Sequence, residues 1–255
     1  MKKITLMKTI FAALILSIPL GVLAAGEEGY PLDAMTADPT DKPSLQRGAK
    51  LYMNYCFGCH AVGYQRYERV ADDLGIPHDL MQEYLMPAGG KIGDLMKNGM
   101  DPKESKNWFG ATPPDLTLVA RVRGTDWLYT YLRTFYLDPK RPLGVNNMVF
   151  PDVGMPHILL ELQGAQIDTC AGAEVQRDIL TGERICGLEP DPSIKGSLSP
   201  AQYDQAIYDL VNFLAYSAEP MKMERQRLGI YVLLFLAIFL IPAYLLKREY
   251  WKDVH

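Results

Sequence analysis

The chain has 255 residues, 48% of them hydrophobic and 22% charged, enough apolar matter for one sizeable core and too much for a disordered or low-complexity segment. Its 26 basic and 30 acidic residues give a net charge of −4, which argues against nucleic acid as a partner.

At the start, Lys2, Lys3 and Lys8 precede an apolar run from Ile10 to Leu23 that closes on Val22-Leu23-Ala24. A basic region, a short apolar stretch and an A-x-A-like end predict a secretory leader over 1–24, the run being short for a membrane span. Setting aside Lys2, Lys3, Lys8, Lys247, Arg248 and Lys252 with Glu249 and Asp253 leaves 20 basic against 28 acidic residues in the exported part. An acidic surface of that kind keeps a protein soluble and also steers a basic soluble partner.

Leu45, Ala49, Tyr52 and Met53 approximate one helical face and predict a helix from Leu45 to Tyr55. It leads into Cys56-Phe57-Gly58-Cys59-His60, a C-x-x-C-H run. That spacing is the attachment signature of c-type haem: two thiols reach the two vinyl groups of one porphyrin, and the histidine is held under the ring as an iron ligand. A redox dithiol would want a βαβ setting, and a zinc site would want a second pair of ligands at suitable spacing. C-type haem is attached outside the cytoplasm, in agreement with the leader.

Downstream, Gly110–Leu116 contains paired prolines and must be extended or turned. Thr125 to Tyr136 predicts a helix with Trp127, Leu128, Tyr131, Leu132 and Phe135 on one side. Residues 138–156, rich in Pro, Gly and Asn, predict a long loop. It holds Val153-Gly154-Met155-Pro156, where a proline stiffens the chain after a methionine and Gly154 permits close approach to a porphyrin. Met155 is the favoured second axial ligand. Met148 and Met86 are weaker methionine candidates, and His157 or His78 would give bis-histidine ligation with a lower reduction potential.

Cys170 and Cys186 enclose a polar excursion of about fifteen residues and are expected to form a disulfide in an oxidising compartment. Ser199-Pro200-Ala201-Gln202 is a helix start with cap, N1 proline and capping-box glutamine, followed by the apolar face Ala206, Ile207, Leu210, Val211 and Leu214. Leu228–Leu246 then runs nineteen residues without a charge, flanked by Arg225 and Arg227 and by Lys247, Arg248 and Lys252. At about 1.5 Å per residue it covers nearly the ~30 Å apolar core of a bilayer. The expected layout is leader 1–24, haem domain 25–227, membrane helix 228–246 and cytoplasmic tail 247–255. The leader places the haem domain on the periplasmic side of a bacterial inner membrane.

The segments Arg47–His60, Pro113–Thr117 (P-P-D-L-T), Val153–Pro156 and Ala218–Pro220, in that order, resemble the cytochrome c1 family from about Asp33 to the end. The resemblance implies an all-α, class I cytochrome c-like haem domain with irregular loops and one C-terminal transmembrane helix. It implies one covalent haem c on Cys56 and Cys59, axial ligands His60 and Met155, and pairing of Arg123 with a haem propionate; a solvated surface role for Arg123, with Arg121 in its place, stays open. It further implies a subunit of a ubiquinol–cytochrome c reductase, not catalytic alone, beside cytochrome b, taking single electrons from a Rieske iron–sulfur subunit and passing them to a soluble cytochrome c. An anchored carrier serving a terminal oxidase is the other reading. Residues 158–198 match the family's pattern least.

Overall fold

The computed structural model describes residues 30–170 and 186–253, so the expected leader lies outside the described residues. The chain divides into 1–31 and 32–255, and the second unit carries the fold described below.

The core is helical. Helix α1 (Lys42–Leu51) starts on Asp41, whose carboxylate accepts from the Ser44 amide, and continues without a break as a π-helical segment, Tyr52–Cys56. The C-terminal helix of the domain, α8 (Pro200–Ala218), starts on a complete capping box, in which the Ser199 hydroxyl accepts from the Gln202 amide while the Gln202 side chain accepts from the Ser199 amide. The pairing of α1 with α8 is the principal helix contact. Gly48 makes it possible, since a Cβ there would collide with the Asp209 carbonyl and lie 2.8 Å from Phe213 Cβ. Beside this crossing, buried Asp209 accepts from Ser44 Oγ at 2.7 Å and from Arg47 Nε at 2.6 Å. Pairing and hydrogen bonding are what let a carboxylate sit inside at tolerable cost.

Between these helices lie α2 (Tyr67–Leu74), α3 (His78–Tyr84), α4 (Pro102–Phe109), α5 (Val119–Arg123), α6 (Thr125–Arg133) and the single turn α7 (Leu160–Gln163). Three two-stranded antiparallel ladders tie the loops: β1 (Val62–Arg66) with β2 (Leu95–Met96), β3 (Phe135–Leu137) with β4 (Val145–Asn147), and β5 (Gly164–Asp168) with β6 (Leu188–Lys195). The helix expected over Thr125–Tyr136 therefore ends at Arg133, and its last residues become β3, inside a stretch paired with what composition alone marks as loop. Cys170 and Cys186 are joined, with Cα atoms 5.2 Å apart.

The last helix, α9 (Lys222–Tyr250), begins six residues before the expected span. Its apolar stretch is exposed throughout, and the helix is long and apolar enough to cross a membrane.

Candidate haem site

The π-helical segment delivers the thiols. The Phe57 amide bonds to the Tyr52 carbonyl at 2.9 Å, and the chain turns once more, with the Cys59 and His60 amides on the Cys56 carbonyl at 3.0 and 2.8 Å. Residues spaced i, i+3 and i+4 share one side of such a turn, so Cys56, Cys59 and His60 project together. The Tyr52 hydroxyl, fully buried, donates to the His60 carbonyl at 2.5 Å and pins the turn's end. π-helical turns of this kind concentrate at functional sites.

These three side chains line a cavity of about 370 Å³. Its walls include the proline segment 111–114 with Leu116, helices α5 and α6 through Arg123, Trp127, Leu128 and Tyr131, the loop Val153–Pro156, and Leu210 and Leu214 of α8. The volume is in the range of a ligand pocket, and its lining is apolar with a few polar groups, as a porphyrin needs. Neither Cys56 nor Cys59 is taken up by a disulfide among the described residues, so both sulfurs are available to a cofactor. No group of three or more His, Cys, Asp or Glu side chains placed to hold a metal ion occurs among the described residues, so a zinc cluster has no donors there.

His60 is oriented from behind. Its Nδ1 lies 2.8 Å from the Pro114 carbonyl oxygen, and burial lowers its pKa. A neutral imidazole that donates from Nδ1 keeps the Nε2 lone pair for iron. The segment holding that carbonyl is itself fixed: Asp115 accepts from the Gly63 amide at 2.7 Å and from the Thr117 amide at 2.8 Å.

The methionine loop is fixed from the hairpin. The Asn147 side chain, 1% exposed, donates to the Tyr131 carbonyl at 2.8 Å and accepts from the Val149 and Phe150 amides at 2.9 and 3.1 Å. Asn146 accepts from the amide of Asp152, whose φ of +62° makes the tight turn before Val153. Met155 lines the cavity, and its sulfur accepts from the Tyr131 hydroxyl at 3.3 Å. Gly154 does make a close approach, to the Phe109 carbonyl, 3.3 Å from where a Cβ would sit.

Of the other ligand candidates, none lines this cavity. Met86 is buried in the core cluster, and His78 is at the surface beside Asp72 at 2.8 Å. His157 stacks on Phe135, ring centroids 4.9 Å apart, and burial holds it down to about 4. Arg123 lines the cavity and Arg121 does not. The Arg123 guanidinium lies 5.0 Å from the Trp127 ring and 5.9 Å from that of Phe150, and pairs with no carboxylate among the described residues.

Sequence reasoning missed the Pro114 carbonyl, Asn147 and the Tyr131 hydroxyl. The i, i+4 spacing of Trp127 and Tyr131 was visible, but not that their face closes the haem cavity.

Residues 34–169 and 197–254 match the Cytochrome C1 family. This chain belongs to the cytochrome c1 family. Cytochrome c1 of Allochromatium vinosum is 48% identical over 248 residues, covering 97% of this chain and 99% of that protein. A Nitrosomonas europaea protein named ammonia monooxygenase gamma subunit is 43% identical, covering 94% and 96%. A Bradyrhizobium diazoefficiens protein named cytochrome b/c1 is 26% identical, covering 84% of this chain and 34% of that protein. With membership come a c-type haem and electron transport in a respiratory chain, and the exposed apolar helix α9 makes the chain membrane-anchored. The unmatched stretch, 170–196, falls inside residues 158–198, where the sequence fitted the family's pattern least; 158–169 and 197–198 are matched.

Proposed function

We propose that this chain is the haem subunit of a quinol–cytochrome c reductase, passing single electrons from a Rieske iron–sulfur subunit to a soluble cytochrome c. The observation that carries the reading is one cavity lined by Cys56, Cys59, His60 and Met155 together. When bound, a haem supplies reversible one-electron exchange between ferric and ferrous iron.

Everything else falls to the chain. Cys56 and Cys59 would hold one haem c through thioether bonds, His60 and Met155 would ligate its iron, and Arg123 would pair with a propionate. The Pro114 carbonyl keeps His60 in the tautomer that presents Nε2. The apolar walls exclude water and hold the surroundings nearly constant between oxidation states. No side chain is needed as acid, base or nucleophile, so the chain is not catalytic alone. Residues 1–24 are a leader, 25–227 a periplasmic domain, 228–246 the span and 247–255 a cytoplasmic tail, in a bacterial inner membrane. The name cytochrome b/c1 carried by the Bradyrhizobium relative supports cytochrome b as the neighbour of the span.

The name of the Nitrosomonas relative raises a monooxygenase reading. Two axial side chains would leave oxygen no open iron position, which favours the electron carrier. Purification from detergent-solubilised membranes tests the assignment. Co-purification with a cytochrome b and a Rieske subunit is expected, whereas isolation with a terminal oxidase or an ammonia-oxidising complex would overturn it.

A further inference from the structure

The distal wall of the cavity contains a tyrosine placed to act on the methionine sulfur. Tyr131 is 9% exposed, and its hydroxyl meets Met155 Sδ at 3.3 Å, with no other partner for that hydroxyl among the described residues. Its ring cannot easily turn away. Trp127, one helical turn earlier, stacks on it at 4.8 Å and 10°, and Phe135 packs edge-on at 5.2 Å and 68°. The Asn147 amide on the Tyr131 carbonyl locks the backbone at the same point. A buried hydroxyl finds a partner wherever one is offered, and here a weak acceptor, a thioether, is the one supplied.

We propose that Tyr131 is a positioning residue that sets the donor strength of the Met155 sulfur through this hydrogen bond. The inference rests on the reading of Met155 as an axial ligand. A thioether sulfur has two lone pairs; with one directed at iron, the second remains for the phenol. The O–H dipole draws electron density from the sulfur and weakens its donation. Ferric iron depends on that donation more than ferrous iron, so the hydrogen bond favours the reduced state and raises the reduction potential, an outer-shell effect on a metal ligand.

The test is potentiometric titration of the detergent-solubilised full-length holoprotein, with its optical spectrum, for wild type, Tyr131→Phe, Tyr203→Phe and Met155→Leu. Tyr203 is the control, because its buried hydroxyl donates only to the Leu132 carbonyl, at 2.8 Å, within the same core. Tyr131→Phe is expected to keep the methionine–iron charge-transfer band while the ferrous-to-ferric ratio at fixed potential falls by roughly threefold to tenfold, tenfold being about 59 mV for one electron. Tyr203→Phe is expected to leave the ratio unchanged. Tyr131→Leu, which removes the same donor, should move the potential in the same direction and serves if the Phe variant does not fold. A potential unchanged or raised in the Tyr131 variants, or lowered equally by Tyr203→Phe, overturns the proposal. Persistence of the charge-transfer band in Met155→Leu overturns the ligand reading instead, so the two failures are distinguishable.

Discussion

His60 Nδ1 lies 2.8 Å from the carbonyl oxygen of Pro114, joining the thiol-bearing turn to the proline segment more than fifty residues later. A proline segment cannot relax into a helix, so its carbonyl stays where the imidazole needs it. Asp115, next in the chain, holds the segment through the Gly63 and Thr117 amides. Asp115→Ala should cost about 0.5–1.5 kcal/mol, since Asp115 is exposed and water can replace part of what the two amides lose. Thermal melting of the purified holoprotein checks this, with a fall of roughly 2–4 °C expected per kcal/mol for a domain of this size.

The α1–α8 crossing should tolerate no side chain at Gly48. Gly48→Val drives methyl groups into the Asp209 backbone and Phe213, and overpacking of this kind costs about 1–3 kcal/mol or more. Because both helices also wall or feed the haem cavity, the yield of haem-loaded protein should drop with stability. Denaturant midpoints and haem-to-protein absorbance ratios measure the two effects.

The Cys170–Cys186 bond closes a loop with a sequence separation of 16. Its loss through Cys170→Ser should cost up to about 3 kcal/mol. Wild-type melting should shift down in a strong reductant, and the variant's melting should be insensitive to it.

Arg123 and Arg121 should behave differently. A positive charge at the cavity mouth favours the state with the extra electron; at about 10 Å and an effective dielectric near 20 that interaction is on the order of 1–2 kcal/mol. Arg123→Gln should therefore lower the reduction potential, while Arg121→Gln, outside the cavity lining, should not. Potentiometric titration of both variants decides it.

Much of this site was legible because its chemistry is local. Cys56, Cys59 and His60 carry the spacing a porphyrin needs, and the capping box at Ser199 is a four-residue signal that the structure reproduces. Met155 was singled out by its loop composition and a family resemblance, and the structure brings Cys56, Cys59, His60 and Met155 to one cavity. What stayed hidden is tertiary. The Pro114 carbonyl is a backbone atom with no sequence signature, and Asn147 reads as ordinary loop polarity until its side chain is seen holding the methionine loop. Phe135 belongs to a helical stripe by spacing, yet strand pairing with Asn147 wins over local periodicity at the end of α6.

Ligation of one haem iron by both His60 and Met155 has a direct signature in the ferric optical spectrum. The wild type should be low-spin with a methionine–iron charge-transfer band, lost in Met155→Leu, and the ferrous wild type should not bind carbon monoxide readily. A charge-transfer band that survives Met155→Leu would contradict that ligation.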